Sequence, residues 1–342
     1  MSDLISVLLP TRNRAKLLAR AIRSIQKQSW STLEILILDD ASSDATPELL
    51  ERLADQDSRI RILRRNESKG LADGLNALID MSRGRWLARM DDDDVSRPCR
   101  LEHQLAYIEA NQIDVCGSWY QRRGFVSSSV MRPATEHEEI AAELLFQPPL
   151  LHPSIMLRRG LLELYGGYKT DFPHAEDYEL WTRLAPHCRF GNIPEVLMDY
   201  TLSALQVSRH YNSAQVETAR RVRADYLTRL DISHSAAEQA IHINLRNPNP
   251  IDDVNELRSA GAWLEYLASQ FDPRTTYVFA RQWLLCAVRA AGLGHPTYDT
   301  WKMSTLSNGI DRTQRALLLT LCIAKLRYGS KSYRLLEPFA RS

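Results

Sequence analysis

The sequence predicts an α/β fold in which a doubly wound, mostly parallel sheet is followed by a mainly α-helical C-terminal part. Two observations lead to this prediction. Over about 110 residues, four short apolar segments alternate with amphipathic segments, and this order implies parallel strands joined by right-handed crossovers. From about Tyr211 onward, the apolar residues recur at helical spacing.

Each strand–helix unit has its own signal in the sequence. After the first apolar segment, Leu18, Ala21 and Ile25 share one face opposite basic residues, which predicts an amphipathic helix. Pro47 in a first turn marks the start of the second helix. The expected strands are 5–9, 34–38, 60–63 and 85–90, and the expected helices are 15–27, one from about 44, 71–81 and about 98–109.

The C-terminal part is expected to be a separate domain, with the chain divided into residues 1–205 and 206–342. Its helices are expected near 211–230, 257–267, 277–291 and 312–327, with breaks at 247–250 and 292–296. Residues 301–342 hold eight basic and two acidic side chains. This end is a candidate for peripheral contact with an anionic membrane; a core helix and a homo-oligomer interface are the alternatives.

Composition argues against several classes of protein. With 43 Lys and Arg against 42 Asp and Glu, the net charge is +1, which argues against a general nucleic-acid binder. Five scattered cysteines without a CxxC pair argue against a disulfide framework or a zinc cluster and fit a reducing compartment. No secretory signal and no apolar run of about 20 residues is evident. We therefore expect a cytoplasmic protein, with the inner face of the membrane as an alternative.

Acidic clusters follow two of the predicted strands, at the sheet edge where α/β proteins bind ligands. A pair of aspartates follows the second strand, and four consecutive aspartates, residues 91–94, follow the fourth. In an extended segment Asp91 and Asp93 point the same way, and all-oxygen ligands suit Mg²⁺ or Mn²⁺. The alternative is a solvated acidic loop in which Asp94 or Ser96 caps the next helix.

The loops after the first two strands are candidates for nucleotide contacts. The pair Asp39 and Asp40 can bind a base or ribose through hydrogen bonds, whereas an Asx turn within residues 39–44 is the alternative. Residues 10–14, after the first strand, do not form a GxGxxG loop. The dinucleotide-binding fingerprint is therefore missing where it would have to be.

Several motifs, taken in order, resemble those of the family 2 glycosyltransferases, which have the GT-A fold. They are P-T-R-N at 10–13, D-D-A-S-S-D at 39–44, the segment 66–76, A-R-M-D-D-D-D at 88–94, P-C-R-L-E-H-Q at 98–104, L-H-P-S-I-M at 151–156, G-G-Y at 166–168 and A-E-D-Y-E-L-W at 175–181. The match extends from about residue 4 to about residue 200. The number and order of the motifs argue against chance.

The resemblance implies a nucleotide-sugar pocket beside the first two strands. Asp40 would hydrogen-bond the nucleobase. The lining of the same pocket would come from Pro10, Thr11, Arg12 and Asn13.

The resemblance also implies the metal ligands and the catalytic base. Asp93 would bind a Mn²⁺ or Mg²⁺ ion, and Asp91 would contact the ribose or the metal. Asp92 occupies the variable position of the DxD motif and is grouped with the nucleotide-sugar contacts. Asp177 matches the carboxylate that acts as base, with Glu176 beside it.

Three of the matched residues also have a structural interpretation. Glu176 and Asp177 open a predicted helix, where acidic residues are favourable without any catalytic role. His152 is a candidate acceptor-side residue, but a core histidine is the alternative. Trp181 is a candidate for stacking on a sugar ring, although its helical spacing with Leu180 and Leu184 is also typical of a core residue.

The chain departs from the family pattern after the strand at residues 196–200. Many relatives have Arg and then His where this chain has Thr201 and Ser203. A histidine there can help hold a metal or diphosphate. The contact is either missing here or supplied by His210.

The implied activity is inverting, metal-dependent transfer of a sugar from a nucleotide-sugar, most readily a UDP-sugar, to a hydroxyl of a glycan or lipid-linked acceptor. Surface polysaccharide synthesis is the expected setting. One alternative is a nucleotidyltransferase, but residues 10–14 lack the Gly-rich loop that such enzymes usually have. The other is a non-catalytic protein that binds nucleotide-sugar or metal, against which the intact Asp93 and Asp177 argue.

Overall fold

The computed structural model describes residues 3–124, 128–202 and 212–333. The chain forms two compact units. The first contains residues 1–140 and 147–222, and the second contains residues 141–146 and 223–342. No helix among the described residues combines the length and the apolar composition needed to cross a bilayer.

The first unit is built on one mixed sheet. Within the described residues its strands are β1 (Ile5–Thr11), β2 (Leu33–Asp40), β3 (Ile60–Arg65), β4 (Trp86–Arg89), β5 (Val95–Ser96), β6 (Val115–Arg123), β7 (Ser128–Met131), β8 (Met156–Arg158) and β9 (Phe190–Thr201). Their order is β3-β2-β1-β4-β8-β6-β9-β5, with β7 paired to β6. Strands β3, β2, β1 and β4 are parallel, as are β6 and β9. The predicted α/β fold with a mostly parallel sheet is confirmed.

Helices alternate with the strands along the first part of the chain. They are α1 (Ala15–Gln26), α2 (Thr46–Gln56), α3 (Leu71–Met81), α4 (Arg100–Asn111), α5 (His137–Glu143), α6 (Arg159–Tyr165), α7 (Glu176–Leu184) and α8 (Asn212–Arg229). All eight residues of β2 are buried, as expected of a central strand covered on both faces. The predicted stripe of α1 is buried at Leu18, Ala21, Ile22 and Ile25.

The structure differs from the sequence prediction where the sheet stops being parallel. The motif at residues 151–156 resembles a strand of the family 2 pattern, but His152–Ser154 form a 3₁₀ turn and only Met156–Arg158 pair with the sheet. This short strand, β8, is antiparallel to both β4 and β6. Pro153 lacks the N–H that a ladder needs, and this favours the turn before the strand.

The second unit is helical, as expected. Its helices after α8 are α9 (Ala236–Asn244), α10 (Val254–Ser269), α11 (Thr276–Arg289), α12 (His295–Met303) and α13 (Arg312–Ile323). The buried Trp283 of α11 connects three of them: its indole N–H donates to the Trp301 carbonyl of α12 at 3.1 Å, and its ring packs against Gly261 of α10. Helices α9 and α12 were missing from the prediction. Pro296 does not break a helix here but lies in the first turn of α12, where its missing N–H costs nothing.

A buried arginine links the end of β4, which leads into the acidic run, to the residue just before β8. Arg100, at the start of α4, is fully buried and donates to the carbonyls of Arg89 and Ile155 at 2.8 and 3.3 Å. Its Nε donates to Gln104 Oε1 at 2.9 Å, and Gln104 in turn donates to the carbonyls of Cys116 and Ser154. The P-x-R-L-x-x-Q motif is therefore a hydrogen-bonded joint between β4, β6 and the turn before β8.

We predict that Arg100→Met lowers the free energy of unfolding by about 2–4 kcal/mol, because the change removes a buried donor and leaves the Gln104 carbonyl and the Arg89 carbonyl short of a partner. Urea unfolding followed by circular dichroism measures the loss. Arg23→Met, on the exposed face of α1, is the control, with an expected change within about 0.5 kcal/mol. Equal midpoints for the two variants would show that the joint does not contribute to stability.

Candidate functional site

The carboxyl ends of β1, β2 and β4 meet at one edge of the sheet. β1 ends at Thr11, β2 ends at Asp40, and β4 ends at Arg89, just before the four aspartates. Thr11 Oγ1 donates to Asp92 Oδ2 at 2.7 Å, so the loop after β4 is held against the end of β1. The sequence-predicted candidates from three separate loops therefore lie on one side of the sheet.

Three of the four aspartates form a cluster with the geometry of a cation site. Carboxylate oxygens of Asp91, Asp93 and Asp94 lie within 4.8 Å of one another. Asp92 is outside this cluster and instead bonds Thr11 and faces Arg14 Nε at 3.9 Å. Oxygen ligands from carboxylates are what Mg²⁺ and Mn²⁺ prefer.

Asp94 was not proposed as a ligand from the sequence, yet it is the most deeply buried of the four. Its Oδ1 accepts a hydrogen bond from the Thr201 amide at 2.8 Å. Its Oδ2 is buried and has no hydrogen-bond partner within the part of the chain that the structure describes. It does not cap the next helix, because α4 begins at Arg100 with no side-chain cap. A bound cation would satisfy this buried carboxylate oxygen, so the residues of the cluster fit a metal site.

Burial and mutual repulsion raise the pKa values of these carboxyls. Burial raises the pKa of Asp92 to about 7, against the opposing hydrogen bond from Thr11. Burial and the Asp91 carboxylate also raise the pKa of Asp93, and they raise the pKa of Asp94 well above its ordinary value. Since such carboxyls bind protons more tightly in the folded chain than in the unfolded one, their own contribution to stability falls as pH rises from about 4 to about 7. A divalent cation would offset this repulsion.

Arg89, which sequence reasoning missed, supplies a buried positive charge to this edge. It is 5% exposed and forms an ion pair with Asp91. Its charge opposes the rise in pKa of Asp93, Glu176 and Asp177, and together with burial it holds the pKa of His152 well below its usual value. In the sequence, the signal for Arg89 was a basic residue within a predicted strand, two positions before the acidic run.

The carboxylate of Asp40 organises the loop before α3. It accepts hydrogen bonds from Ser68 Oγ at 2.5 Å and from the amides of Lys69 and Gly70 at 3.2 and 3.3 Å. Gly70 has φ +86°, which lets the chain turn its amide toward Asp40. Arg65 Nη1 lies 3.5 Å from the same carboxylate.

The loops after β1 and β2 are tied to each other by side-chain hydrogen bonds. The backbone N–H of Asn13 donates to Ser42 Oγ at 2.9 Å, and Asn13 Oδ1 accepts from the Ser43 backbone N–H at 2.7 Å. Asp39 accepts from the Ser42 amide at 3.0 Å, which is the kind of local turn contact expected of this segment. Pro10 is half-buried near the end of β1, and Arg12 is exposed in the loop that follows.

Asp177 lies in the first turn of α7, as predicted for a helix start. Its Oδ1 accepts from the Tyr178 amide at 2.7 Å. Burial and the neighbouring Glu176 carboxylate raise the pKa of Asp177 to about 7. Burial also raises the pKa of Glu176, and the charge of Asp91 contributes to that rise. A carboxylate with a pKa near neutrality is suited to accept and release a proton.

His152 and Trp181 are core residues in this structure. His152 is buried and its Nε2 lies 2.8 Å from the hydroxyl of Tyr168. Trp181 is fully buried, with ring contacts to His152 and Phe190 at 6.0 and 6.3 Å, and it exposes no face on which a sugar could stack. Both residues therefore match the alternative interpretation, in which they are part of the core. Ser203 and His210 lie outside the described residues.

The family model described as "Glycosyl transferase family 2" matches residues 6–165 of this chain. A relative from Escherichia coli, the UDP-Glc:alpha-D-GlcNAc-diphosphoundecaprenol beta-1,3-glucosyltransferase WfgD, is 30% identical over 207 residues, which cover 60% of this chain and 78% of WfgD. The chain belongs to the family 2 glycosyltransferases. An uncharacterized glycosyltransferase from Haemophilus influenzae is 29% identical over 237 residues, covering 66% of this glycosyltransferase and 73% of the relative.

Solved structures show the fold of this glycosyltransferase. S. aureus TarS 1-349 in complex with UDP-GlcNAc is similar with a TM-score of 0.58 and 17% identity, over 91% of this chain and 90% of TarS 1-349. The mannosyltransferase PcManGT from Pyrobaculum calidifontis, in complex with GDP-Man and Mn²⁺, has a TM-score of 0.52 and 19% identity over 95% and 88% of the two chains. The predicted GT-A fold is confirmed.

The cluster geometry predicts how this glycosyltransferase responds to single changes at the aspartates. Asp93→Asn and Asp94→Asn should each weaken Mn²⁺ binding by about tenfold or more, since each removes an anionic oxygen from the cluster. Asp92→Asn should weaken it less, because Asp92 bonds Thr11 instead. Electron paramagnetic resonance of free Mn²⁺ measures the three affinities, with the exposed Asp171→Asn as the control. The cluster assignment is wrong if Asp92→Asn alone abolishes binding.

Proposed function

We propose that this glycosyltransferase moves a sugar from a UDP-sugar to an acceptor hydroxyl, with inversion at the anomeric carbon and with a divalent metal. The observation that carries the proposal is that the buried Arg89 forms an ion pair with Asp91 of the aspartate cluster and that its charge also opposes the rise in the pKa of Asp177 at the start of α7. The aspartate cluster suits a divalent metal, which would in turn hold the diphosphate. Asp177 offers a base.

The donor would bind along the loops after β1 and β2. In this proposal Asp40 contacts the nucleobase, and Pro10 to Asn13 line the pocket. The Asp40 carboxylate accepts from Ser68 and two amides and lies 3.5 Å from Arg65 Nη1. A base N–H would therefore take the place of one of these four contacts. The UDP-GlcNAc complex of TarS and the UDP-Glc donor of WfgD support a uridine nucleotide.

The metal-ligating residues in this proposal are Asp93, Asp91 and Asp94. A Mg²⁺ or Mn²⁺ ion there would supply Lewis-acid neutralisation of the leaving diphosphate. The Mn²⁺ in the mannosyltransferase complex supports a metal of this kind. The hydrogen bond from the Thr201 amide fixes the orientation of the Asp94 carboxylate.

Asp177 would act as the general base. As the acceptor oxygen bonds to the anomeric carbon, its proton passes to the Asp177 carboxylate and the bond to the diphosphate oxygen breaks. One base without a covalent nucleophile gives a single displacement, which inverts the anomeric centre. Glu176 lies beside Asp177, and its charge helps keep the pKa of Asp177 near neutrality.

The acceptor proposed is a glycan or lipid-linked sugar in surface polysaccharide synthesis. The diphosphoundecaprenol acceptor named for WfgD supports a lipid-linked substrate. We further propose that residues 1–205 form the catalytic domain, that residues 206–342 form an accessory domain, and that the protein acts in the cytoplasm with peripheral contact to the membrane.

We predict that Asp177→Asn lowers kcat by about 10²–10⁴-fold, because the amide cannot accept the acceptor proton. Release of UDP from UDP-sugars in the presence of Mn²⁺ and acceptor measures the rate. Affinity for UDP and Mn²⁺ should stay within about twofold of wild type, which separates loss of the base from loss of binding. Asp171→Asn, an exposed acidic change, is the matched control. Normal turnover by Asp177→Asn would contradict the assignment of Asp177 as the general base.

The pH dependence follows from the raised pKa of Asp177, about 7 in the folded protein. The base must be deprotonated, so kcat/KM should rise with pH through about 7 and level off above it. Wild-type initial rates between about pH 5.5 and 8.5, at saturating Mn²⁺, give the profile. Asp171→Asn should reproduce it. A flat profile across this range contradicts a carboxylate base with this pKa.

A further inference from the structure

A second group of metal-ligating side chains lies outside the aspartate cluster. Cys99, His103 and Glu195 bring a thiol sulfur, a ring nitrogen and a carboxylate oxygen within 4.8 Å of one another. His103 Nδ1 and Glu195 Oε2 are already 2.9 Å apart. The spacing of cysteines in the sequence cannot reveal such a group, because it contains only one cysteine and its third member comes from a distant strand.

The fold directs all three side chains to one place. Cys99 is the N-cap residue of α4 and His103 lies one turn later, with its amide donating to the Cys99 carbonyl at 2.9 Å, so the two share a helix face. Glu195 belongs to a bulge in β9, where Pro194 and Glu195 are skipped in the pairing with β6. A bulge re-aims side chains out of the regular strand alternation, and here it directs Glu195 to α4.

The donor atoms select a different metal from that of the aspartate cluster. A thiolate and an imidazole favour Zn²⁺ or Co²⁺, whereas Mg²⁺ and Mn²⁺ favour oxygen. Tetrahedral bonds of about 2.0–2.3 Å need ligand atoms roughly 3.3–3.7 Å apart. The side chains of His103 and Glu195 are 43% and 49% exposed, so they can adjust by that amount. Cys99 is half-buried, while the other four cysteines are buried.

We propose that Cys99, His103 and Glu195 form a zinc-type site that fastens the start of α4 to β9. On binding, the Cys99 thiol releases its proton to solvent and His103 takes the tautomer with hydrogen on Nε2, which frees Nδ1 for the metal. A water molecule completes four-coordination, because three protein ligands leave one position open.

The site would strengthen a connection that also holds the aspartate cluster. Just before Pro98 and Cys99, the Arg97 amide donates to the Leu197 carbonyl of β9 at 3.0 Å. Further along the same strand, the Thr201 amide holds Asp94. A metal between α4 and β9 therefore reinforces the framework of the loop that carries residues 91–94, without contacting that loop.

Cobalt titration of the metal-free full-length chain tests the proposal. A Co²⁺–thiolate bond gives a charge-transfer band in the near ultraviolet, and we expect this band to saturate at one equivalent and to disappear on addition of Zn²⁺. Cys99→Ser should abolish the band, and His103→Gln should weaken Co²⁺ binding by about tenfold or more. Cys188→Ser, a buried thiol outside the group, is the matched control and should keep the band.

A second variant separates this site from the aspartate cluster and from the proposed sugar transfer. Asp93→Asn should keep the cobalt band, even where it loses Mn²⁺ binding and UDP release. In wild type, Zn²⁺ should also raise the melting temperature, and Cys99→Ser should remove that rise. The proposal is overturned if wild type shows no band, or if the band persists in Cys99→Ser.

Discussion

The buried charge of Arg89 is the constraint on which this glycosyltransferase depends. Carboxylates from two separate segments, the run after β4 and the start of α7, share its field. Without a buried cation, so many like charges at one sheet edge would either take up protons or push the two segments apart. Arg89 is the last residue of β4 and is paired with Asp91, so the strand that delivers the acidic run also delivers part of its countercharge.

The segments around Arg89 are held by contacts that leave the carboxylates available. Glu179, buried in α7, pairs with Arg183, whose guanidinium donates to the carbonyls of Gly166 and Gly167 at 2.8 and 2.7 Å. The glycine turn is thereby fixed and presents Tyr168 to His152 at 2.8 Å. The G-G-Y and E-D-Y-E-L-W motifs are thus parts of one packed structure, although they lie several residues apart in the sequence.

Much of the fold could be predicted from the spacing of apolar residues, and part of the site from residues that directly follow predicted strands. The central strands and α3 were predictable because their apolar patterns are strong and local. The turn at His152–Ser154 and the short antiparallel β8 were not, because nonlocal pairing decides them. Asp94 was missed for the same reason, because its burial and its Thr201 partner exist only after folding. Arg89 was missed although the sequence showed a basic residue in a predicted strand just before the acidic run. The roles of Asp177 and Asp40 remain proposals that rest on the family motifs.

The joint made by Arg100 and Gln104 gives the site a frame that does not titrate with it. Its hydrogen-bond partners are carbonyls, an amide and a thioether, none of which changes charge with pH. Burial lowers the pKa of Arg100 only to about 9, so the guanidinium stays charged across the interval in which Asp92 and Asp177 titrate. The enzyme can therefore gain and lose protons at its carboxylates while the geometry that spaces them stays constant.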